Sequence, residues 1–99
     1  MTKFPPPVDI SSVSVIVPTY REVDNLRPLV ERLRVLREAG LDLELLIMDD
    51  DSRDGSEQVV RSLALPWVRI VTRHNDRSLS HAVLDGLSRA TRDTLVVLE

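Results

Sequence analysis

The sequence predicts an α/β domain built on a parallel, doubly wound sheet, and three observations lead there. Four short apolar runs, at residues 13–17, 43–48, 68–72 and 95–98, alternate with three segments of helical periodicity. Each connection between runs is long enough for a crossover between parallel strands. The second run passes without a break from Leu45, Leu46, Ile47 and Met48 into Asp49, Asp50 and Asp51. Adjacent carboxylates repel and cannot be buried unpaired, so they belong where the strand emerges, at the carboxyl edge. Right-handed crossovers then give a Rossmann-like half sheet, and in such sheets ligands bind at that edge.

Taken in order, the chain opens on Phe4-Pro5-Pro6-Pro7, which favours an extended lead-in, and residues 1–12 are expected as a tail before a domain at 13–99. Residues 13–17 (VSVIV) are β-branched and form a strand by propensity, which Pro18-Thr19-Tyr20 is expected to end. Leu26, Leu29, Val30, Leu33 and Leu36 recur at helical spacing, predicting a helix from Asp24 or Asn25 to Ala39. Pro28 falls in its first turn and Gly40 stops it. The second strand, residues 43–48, leads through the acidic loop to a helix over 55–64, with Asp54 as N-cap and Glu57 completing a capping box. Val59, Val60 and Leu63 face inward, and Pro66 blocks continuation. A third strand at 68–72 and a polar loop at 73–78 precede a third helix over 80–90. Its apolar face is read as Leu79, Val83, Leu84, Leu87 and Ala90, with Gly86 explained by close helix–sheet packing. Residues 95–98 form the fourth strand.

Composition narrows the function. The 99 residues are 42% hydrophobic with a net charge of −3, so no basic face invites nucleic acid as a main partner. The absence of cysteine excludes thiol catalysis and thiolate metal sites. No apolar run approaches the ~20 residues of a membrane span. The first βα turn lacks the glycines of a dinucleotide-binding site. A receiver domain would need a lysine at a later strand end, and Lys3 in the tail cannot serve. In a parallel sheet, Pro18 to Glu22 and Asp49 to Asp51 share one edge. A tyrosine ring beside carboxylates suits a nucleoside, the ring stacking and an aspartate accepting from a base or ribose. A solvated acidic turn covered by Tyr20 is the plainer alternative.

The residues Val13-Ser14-Val15-Ile16-Val17-Pro18-Thr19-Tyr20-Arg21-Glu22 resemble the opening of family-2 inverting glycosyltransferases of the GT-A fold. The likeness is to dolichol-phosphate mannose synthases and bacterial polyprenyl-phosphate glycosyltransferases in particular. It continues through Asp49-Asp50-Asp51-Ser52-Arg53-Asp54-Gly55-Ser56, Arg73, Leu79-Ser80-x-Ala82-Val83 and Gly86. The resemblance implies a three-layer α/β/α fold with strand order 3-2-1-4. It implies that Pro18, Thr19, Tyr20 and Glu22 line a nucleotide pocket, with Asp50 on the base and Asp49 beside it. Arg73 would approach the nucleotide-sugar, and Leu79 and Ser80 would turn helix-start amides towards it. His74 and His81 match no ligand spacing. There are departures from the resembled pattern: Arg21 stands where asparagine is usual, Asp51 where glycine or asparagine is common, Arg53 where proline is frequent and Ser78 where glycine is common.

The implied activity is inverting transfer of a sugar from a GDP- or UDP-sugar to a polyprenyl or dolichyl phosphate. The implied place is the cytoplasm or the cytoplasmic face of a membrane. Mg²⁺ or Mn²⁺ is implied for the whole enzyme, held by an Asp-x-Asp motif expected just past the fourth strand. Glu99 stands about where that motif begins, so the expectation is a nucleotide-binding half, inactive alone and truncated before the motif. A non-catalytic nucleotide-binding or interaction module is the alternative. The apolar edge of Leu95, Val96, Val97 and Leu98 is expected to pair two copies into a homodimer, while Arg69 and Arg73 guard the opposite edge.

Overall fold

The computed structural model describes residues 11–74 and 78–98. They form β1 (Ser12–Thr19), α1 (Val23–Glu38), β2 (Asp42–Asp49), α2 (Ser56–Leu63), β3 (Val68–Thr72), α3 (Leu79–Arg89) and β4 (Thr94–Val97). The sheet order is β3-β2-β1-β4 and every pairing is parallel, as expected. The α/β/α layering follows from the alternation of side chains along each strand. Val13, Val15 and Val17 of β1 and Leu43, Leu45 and Ile47 of β2 turn to one face, where Leu26, Val30 and Leu33 of α1 and Val60 of α2 complete the larger core. Ile16, Leu46 and Met48 turn to the other face and meet Ala82 of α3. The strands at the centre are buried on both faces, which is why they read as unbroken apolar runs.

Several boundaries differ from the sequence reading, each for a local reason. Pro18 does not end β1, which runs on to Thr19 in register with Asp49. The amide of Leu98 donates to the Ile16 carbonyl, so even-numbered residues of β1 direct their backbone groups towards β4. Pro18 therefore lacks its donor only where that ladder runs out. Because α1 starts at Val23, Pro28 lies in its second turn, not its first. The helix ends in a Schellman arrangement: Gly40, at φ +107, donates to the Arg37 carbonyl and Leu41 donates to that of Leu36. The lead-in expected over residues 1–12 falls outside the described residues except for Ser11 and Ser12, and Ser12 opens β1.

The inward faces are also corrected. Leu36, Leu79 and Leu84 are exposed. On α3 the residues buried against the sheet are the small ones, Ala82 and Gly86, with Leu87 and Ala90 packed alongside. A Cβ on Gly86 would lie 2.6 Å from Ile16 Cγ2, so the close packing expected of this glycine is present. Leu84, two positions beyond Ala82, projects from the far side of the helix.

At the amino edge the sheet carries a buried carboxylate that sequence reading passed over within an apolar run. Glu44 accepts hydrogen bonds from Ser14 Oγ at 2.6 Å and from the Thr91 amide and hydroxyl at 2.7 and 2.8 Å. Arg69 Nη2 approaches it at 3.4 Å. The Arg92 amide donates to Ser14 Oγ, so the turn between α3 and β4 is tied down to β1 and β2. Arg69, on the edge strand β3, reaches across to Glu44 with its side chain about half exposed, whereas Arg73 at the other end turns inward to Asp50.

Candidate functional site

At the carboxyl edge the loops after β1 and β2 are stitched together. Asp49, only 3% exposed, accepts from Thr19 Oγ1 at 2.7 Å and from the Ser52 hydroxyl at 2.6 Å through one oxygen. Its second oxygen accepts from the Ser52 amide at 3.0 Å. Ser52 Oγ in turn accepts from the Arg21 amide at 2.7 Å. Asp54 reaches both helices. One oxygen accepts from the Ser56 amide and hydroxyl, the other from the Val23 amide at the start of α1. The N-cap position of α2 belongs to Gly55, and Glu57 pairs with Arg61 one turn on, so no capping box forms. Asp54 still satisfies a helix-start amide, from one residue earlier than expected.

These stitches hold backbone that resists its conformation. Arg21, Asp51 and Arg53 all adopt positive φ, at 56°, 54° and 54°. Left-handed geometry costs about 1–2 kcal/mol for a residue with a Cβ, so the loops are kept in shape by the bonds around them. Burial works against the charge on Asp54, but the bonds from Ser56 and Val23 outweigh it and hold its pKa below the ordinary carboxylate value. The hydrogen bond from Arg53 does the same for Asp51, helped by His74, whose Nδ1 lies 3.3 Å away.

Asp50 and Arg73 form the central pair. Arg73 Nη1 lies 2.7 Å from Asp50 Oδ1, and both side chains are nearly buried, at 11% and 10% exposure. The backbone reinforces the meeting: the Asp50 amide donates to the Thr19 carbonyl and the Arg73 amide to that of Asp49. Tyr20, the residue after Thr19 in the chain, remains 41% exposed, with the Arg21 guanidinium 5.2 Å from its ring centroid. Pro18 is half-buried in β1, and Glu22 is exposed at the N-cap of α1. Leu79 and Ser80 stand exposed in the first turn of α3, whose N-cap Ser78 accepts from the His81 amide.

Three clefts open along this edge. One, of about 490 Å³, lies between the ends of β2 and β3 and the start of α2, lined by residues including Asp49, Asp51, Ser56, Thr72 and His74. A second, of about 580 Å³, is walled by Arg21, Asp51, Ser52, Arg53 and Asp54 of the two loops. The third, of about 420 Å³, lies beside α1 and includes Thr19, Glu22, Asn25, Arg32 and Leu98. Among the described residues no three His, Asp or Glu side chains are grouped to hold a metal ion. Two participants were given no role in the sequence reading: Ser52, quoted only within the acidic motif, which joins the two loops, and Asp85, which lies beside Arg73. A serine within a run of acids was the available signal for Ser52; Asp85 offered only its position next to Gly86.

The chain is 43% identical over 90 residues to a dolichol-phosphate mannosyltransferase of Saccharomyces cerevisiae, a match covering 87% of this chain and 34% of that protein. It is 41% identical over 95 residues to a dolichol-phosphate mannosyltransferase of Mycosarcoma maydis, covering 89% of this chain and 32% of that one. The chain thus spans about a third of the length of these curated relatives. Among solved structures, a mannosyltransferase from Pyrobaculum calidifontis in complex with GDP-Man and Mn²⁺ superposes with a TM-score of 0.63 at 32% identity. That match covers 84% of this chain and 25% of the other. The model of the family described as Glycosyl transferase family 2 matches residues 14–99, and the chain belongs to that family.

Proposed function

We propose that this chain forms the nucleotide-sugar-binding part of an inverting glycosyltransferase that moves a sugar from a GDP- or UDP-linked donor to a polyprenyl or dolichyl phosphate. The observation that carries the reading is the Asp50–Arg73 pair at the carboxyl edge of a family-2 sheet, with Tyr20 exposed in the loop that leaves the neighbouring strand. A carboxylate accepts from a base, a tyrosine ring stacks on it, and a guanidinium meets the phosphates. Pro18, Thr19, Glu22, Asp49, Leu79 and Ser80 complete the proposed pocket. Support for the donor and acceptor classes comes from the relatives: two are dolichol-phosphate mannosyltransferases and one was solved with GDP-Man.

In this reading, transfer belongs to the whole protein, working in the cytoplasm or at the cytoplasmic face of a membrane, and residues 13–99 are its nucleotide-binding half. Mg²⁺ or Mn²⁺ would serve the whole enzyme, a reading supported by the Mn²⁺ in the solved relative. The reading includes self-association of this chain through β4, supported by Leu95, Val96, Val97 and Leu98, which are 37–47% exposed. Light scattering at tens of micromolar is expected to give a dimer; a monomer would remove that part.

Calorimetric titration of the chain with GDP, UDP, NAD and acetyl phosphate, each with and without Mn²⁺, tests the main claim. Binding of a nucleoside diphosphate in preference to NAD and acetyl phosphate is expected. Equal indifference to all four would overturn it.

A further inference from the structure

β3 is an outer strand, paired with β2 alone over residues Val68 to Thr72. The Trp67 carbonyl accepts from the Leu45 amide and the Arg73 amide donates to the Asp49 carbonyl, so odd-numbered residues direct their backbone groups to β2. Alternation turns the amides and carbonyls of Ile70 and Thr72 to the open side, where among the described residues they meet no partner. Such an edge is a template for a further strand, and proteins ordinarily blunt it with a bulge, a proline or a charge. Here the register with β2 is unbroken and the strand holds no proline. Its one charge, Arg69, is drawn back across the sheet, with Nη2 3.4 Å from Glu44 Oε1 and 3.2 Å from the Arg89 carbonyl.

The two sides of this edge differ in chemistry. Val68 and Ile70 turn towards α2, where a cleft of about 520 Å³ opens between helix and strand, lined by residues including Val60, Ala64, Leu65 and Ile70. The charged residues along it are Arg61 and Arg69, so a chain of net charge −3 presents two arginines and no acid at this place. Arg61 is 76% exposed, and its surface pair with Glu57 is of small worth. Arg69 leaves β3 on the opposite side from Ile70. Both of its contacts use Nη2, so the rest of a half-exposed fork is open to a carboxylate without release of Glu44. Side chains of an incoming strand alternate between these two sides. Every second one meets the apolar cleft, and those between meet Arg69.

We propose that the β3 edge is a docking site for an extended segment of a partner protein in which apolar residues alternate with acidic ones, added to the sheet as a fifth strand. Its backbone bonds to Ile70 and Thr72 supply affinity, while the cleft and the two arginines supply selectivity. The proposal uses none of the residues placed in the nucleotide pocket and stands independently of that reading.

The probe is an acetylated and amidated peptide, Glu-Val-Glu-Val-Glu-Val, titrated into the full chain and followed by ¹H–¹⁵N NMR. The Ile70 and Thr72 amide signals are expected to shift and to gain protection from solvent exchange, with a Kd of about 1 mM or tighter. The counterpart Lys-Val-Lys-Val-Lys-Val should bind about tenfold more weakly, and Arg61→Glu should weaken the acidic peptide about fivefold. Of two versions N-methylated at every valine or at every glutamate, at least one should lose binding, because either strand direction needs one of those sets of amides. No binding, shifts that miss Ile70 and Thr72, equal binding of the lysine peptide or full affinity in Arg61→Glu would overturn the proposal. So would undiminished binding by both N-methylated peptides. Concentration-dependent shifts of Ile70 and Thr72 without peptide would make a second copy of this chain the occupant, and would overturn it as well.

Discussion

Thr19 and Asp49, the last residues of two adjacent parallel strands, are joined side chain to side chain at 2.7 Å and lie opposite each other in the register. The pair closes the sheet at the point where both loops depart, and Ser52 donates to both oxygens of the same carboxylate, from its hydroxyl and its amide. Asp49 therefore shapes the pocket from beneath. Asp49→Ala would leave the Thr19 hydroxyl and the Ser52 hydroxyl and amide without their acceptor. A loss of about 2–4 kcal/mol in unfolding free energy is expected, read from the urea midpoint. A midpoint within error of the wild type would show that water replaces the carboxylate without cost.

Asp50 should behave differently. Its bond runs to Arg73, and in the proposed reading the same carboxylate accepts from the nucleobase. Losing a hydrogen bond to a charged acceptor costs roughly 1.5–3 kcal/mol, so Asp50→Ala should weaken nucleoside diphosphate binding about ten- to a hundredfold. Calorimetry on the folded variant measures this directly. Unchanged affinity would remove Asp50 from the site.

Much of the fold was legible because its signals are local. Apolar runs, helical spacing and Gly40 all act over a few residues, and element order then dictated the topology. The acidic loop fell at the carboxyl end of β2, as read, for the same reason. What escaped depends on partners far away in the chain. Glu44 lies inside an apolar run, and only Ser14 and Thr91, 30 and 47 positions distant, explain its burial. Arg73 and Asp50 are 23 positions apart, and nothing in either segment announces the pair. The departures from the family pattern gain a physical sense too. Arg21 and Asp51 occupy left-handed positions, where the asparagine or glycine usual there would sit with less strain, and Arg53 holds a φ that proline cannot adopt.

The amino edge gives the chain an acid-sensitive clasp. Burial works to raise the Glu44 pKa, but bonds from Ser14 and Thr91 and the charge of Arg69 prevail and lower it. A carboxylate with a depressed folded-state pKa contributes stability that is fully present above its unfolded value, about 4.3 for glutamate. That contribution is lost as pH falls through the folded value. Unfolding free energy should thus decline below about pH 5. Glu44→Gln should cost about 2–3 kcal/mol at neutral pH, because it removes the charge that the three donors share at Oε2 and leaves an amide group, itself a donor, facing Arg69 Nη2. The variant should also decline less steeply in acid. Urea titrations from pH 3 to 7 would show this as converging curves, and parallel curves would refute it.

Gly86 sets two effects against each other, and their magnitudes decide the outcome. Alanine is the better helix former by about 1 kcal/mol, so on propensity alone Gly86→Ala should stabilise α3. The new Cβ, however, would meet Ile16 Cγ2 at 2.6 Å and Met48 Cγ at 3.2 Å. Met48 is unbranched and can yield. Ile16 is fully buried in the central strand and β-branched, so its rotamer has little freedom to move. Overpacking of this kind costs roughly 1–3 kcal/mol and is relieved mainly by lifting the helix. Lifting α3 would carry Asp85 away from Arg73, which already lies at 3.6 Å. Gly86→Ala is therefore expected to lower the thermal midpoint, by about 4–8 °C for each kcal/mol of net loss in a domain of this size. Diphosphate binding should weaken in the same variant. A raised midpoint would mean that propensity prevails and that the seat beneath α3 is looser than the geometry indicates.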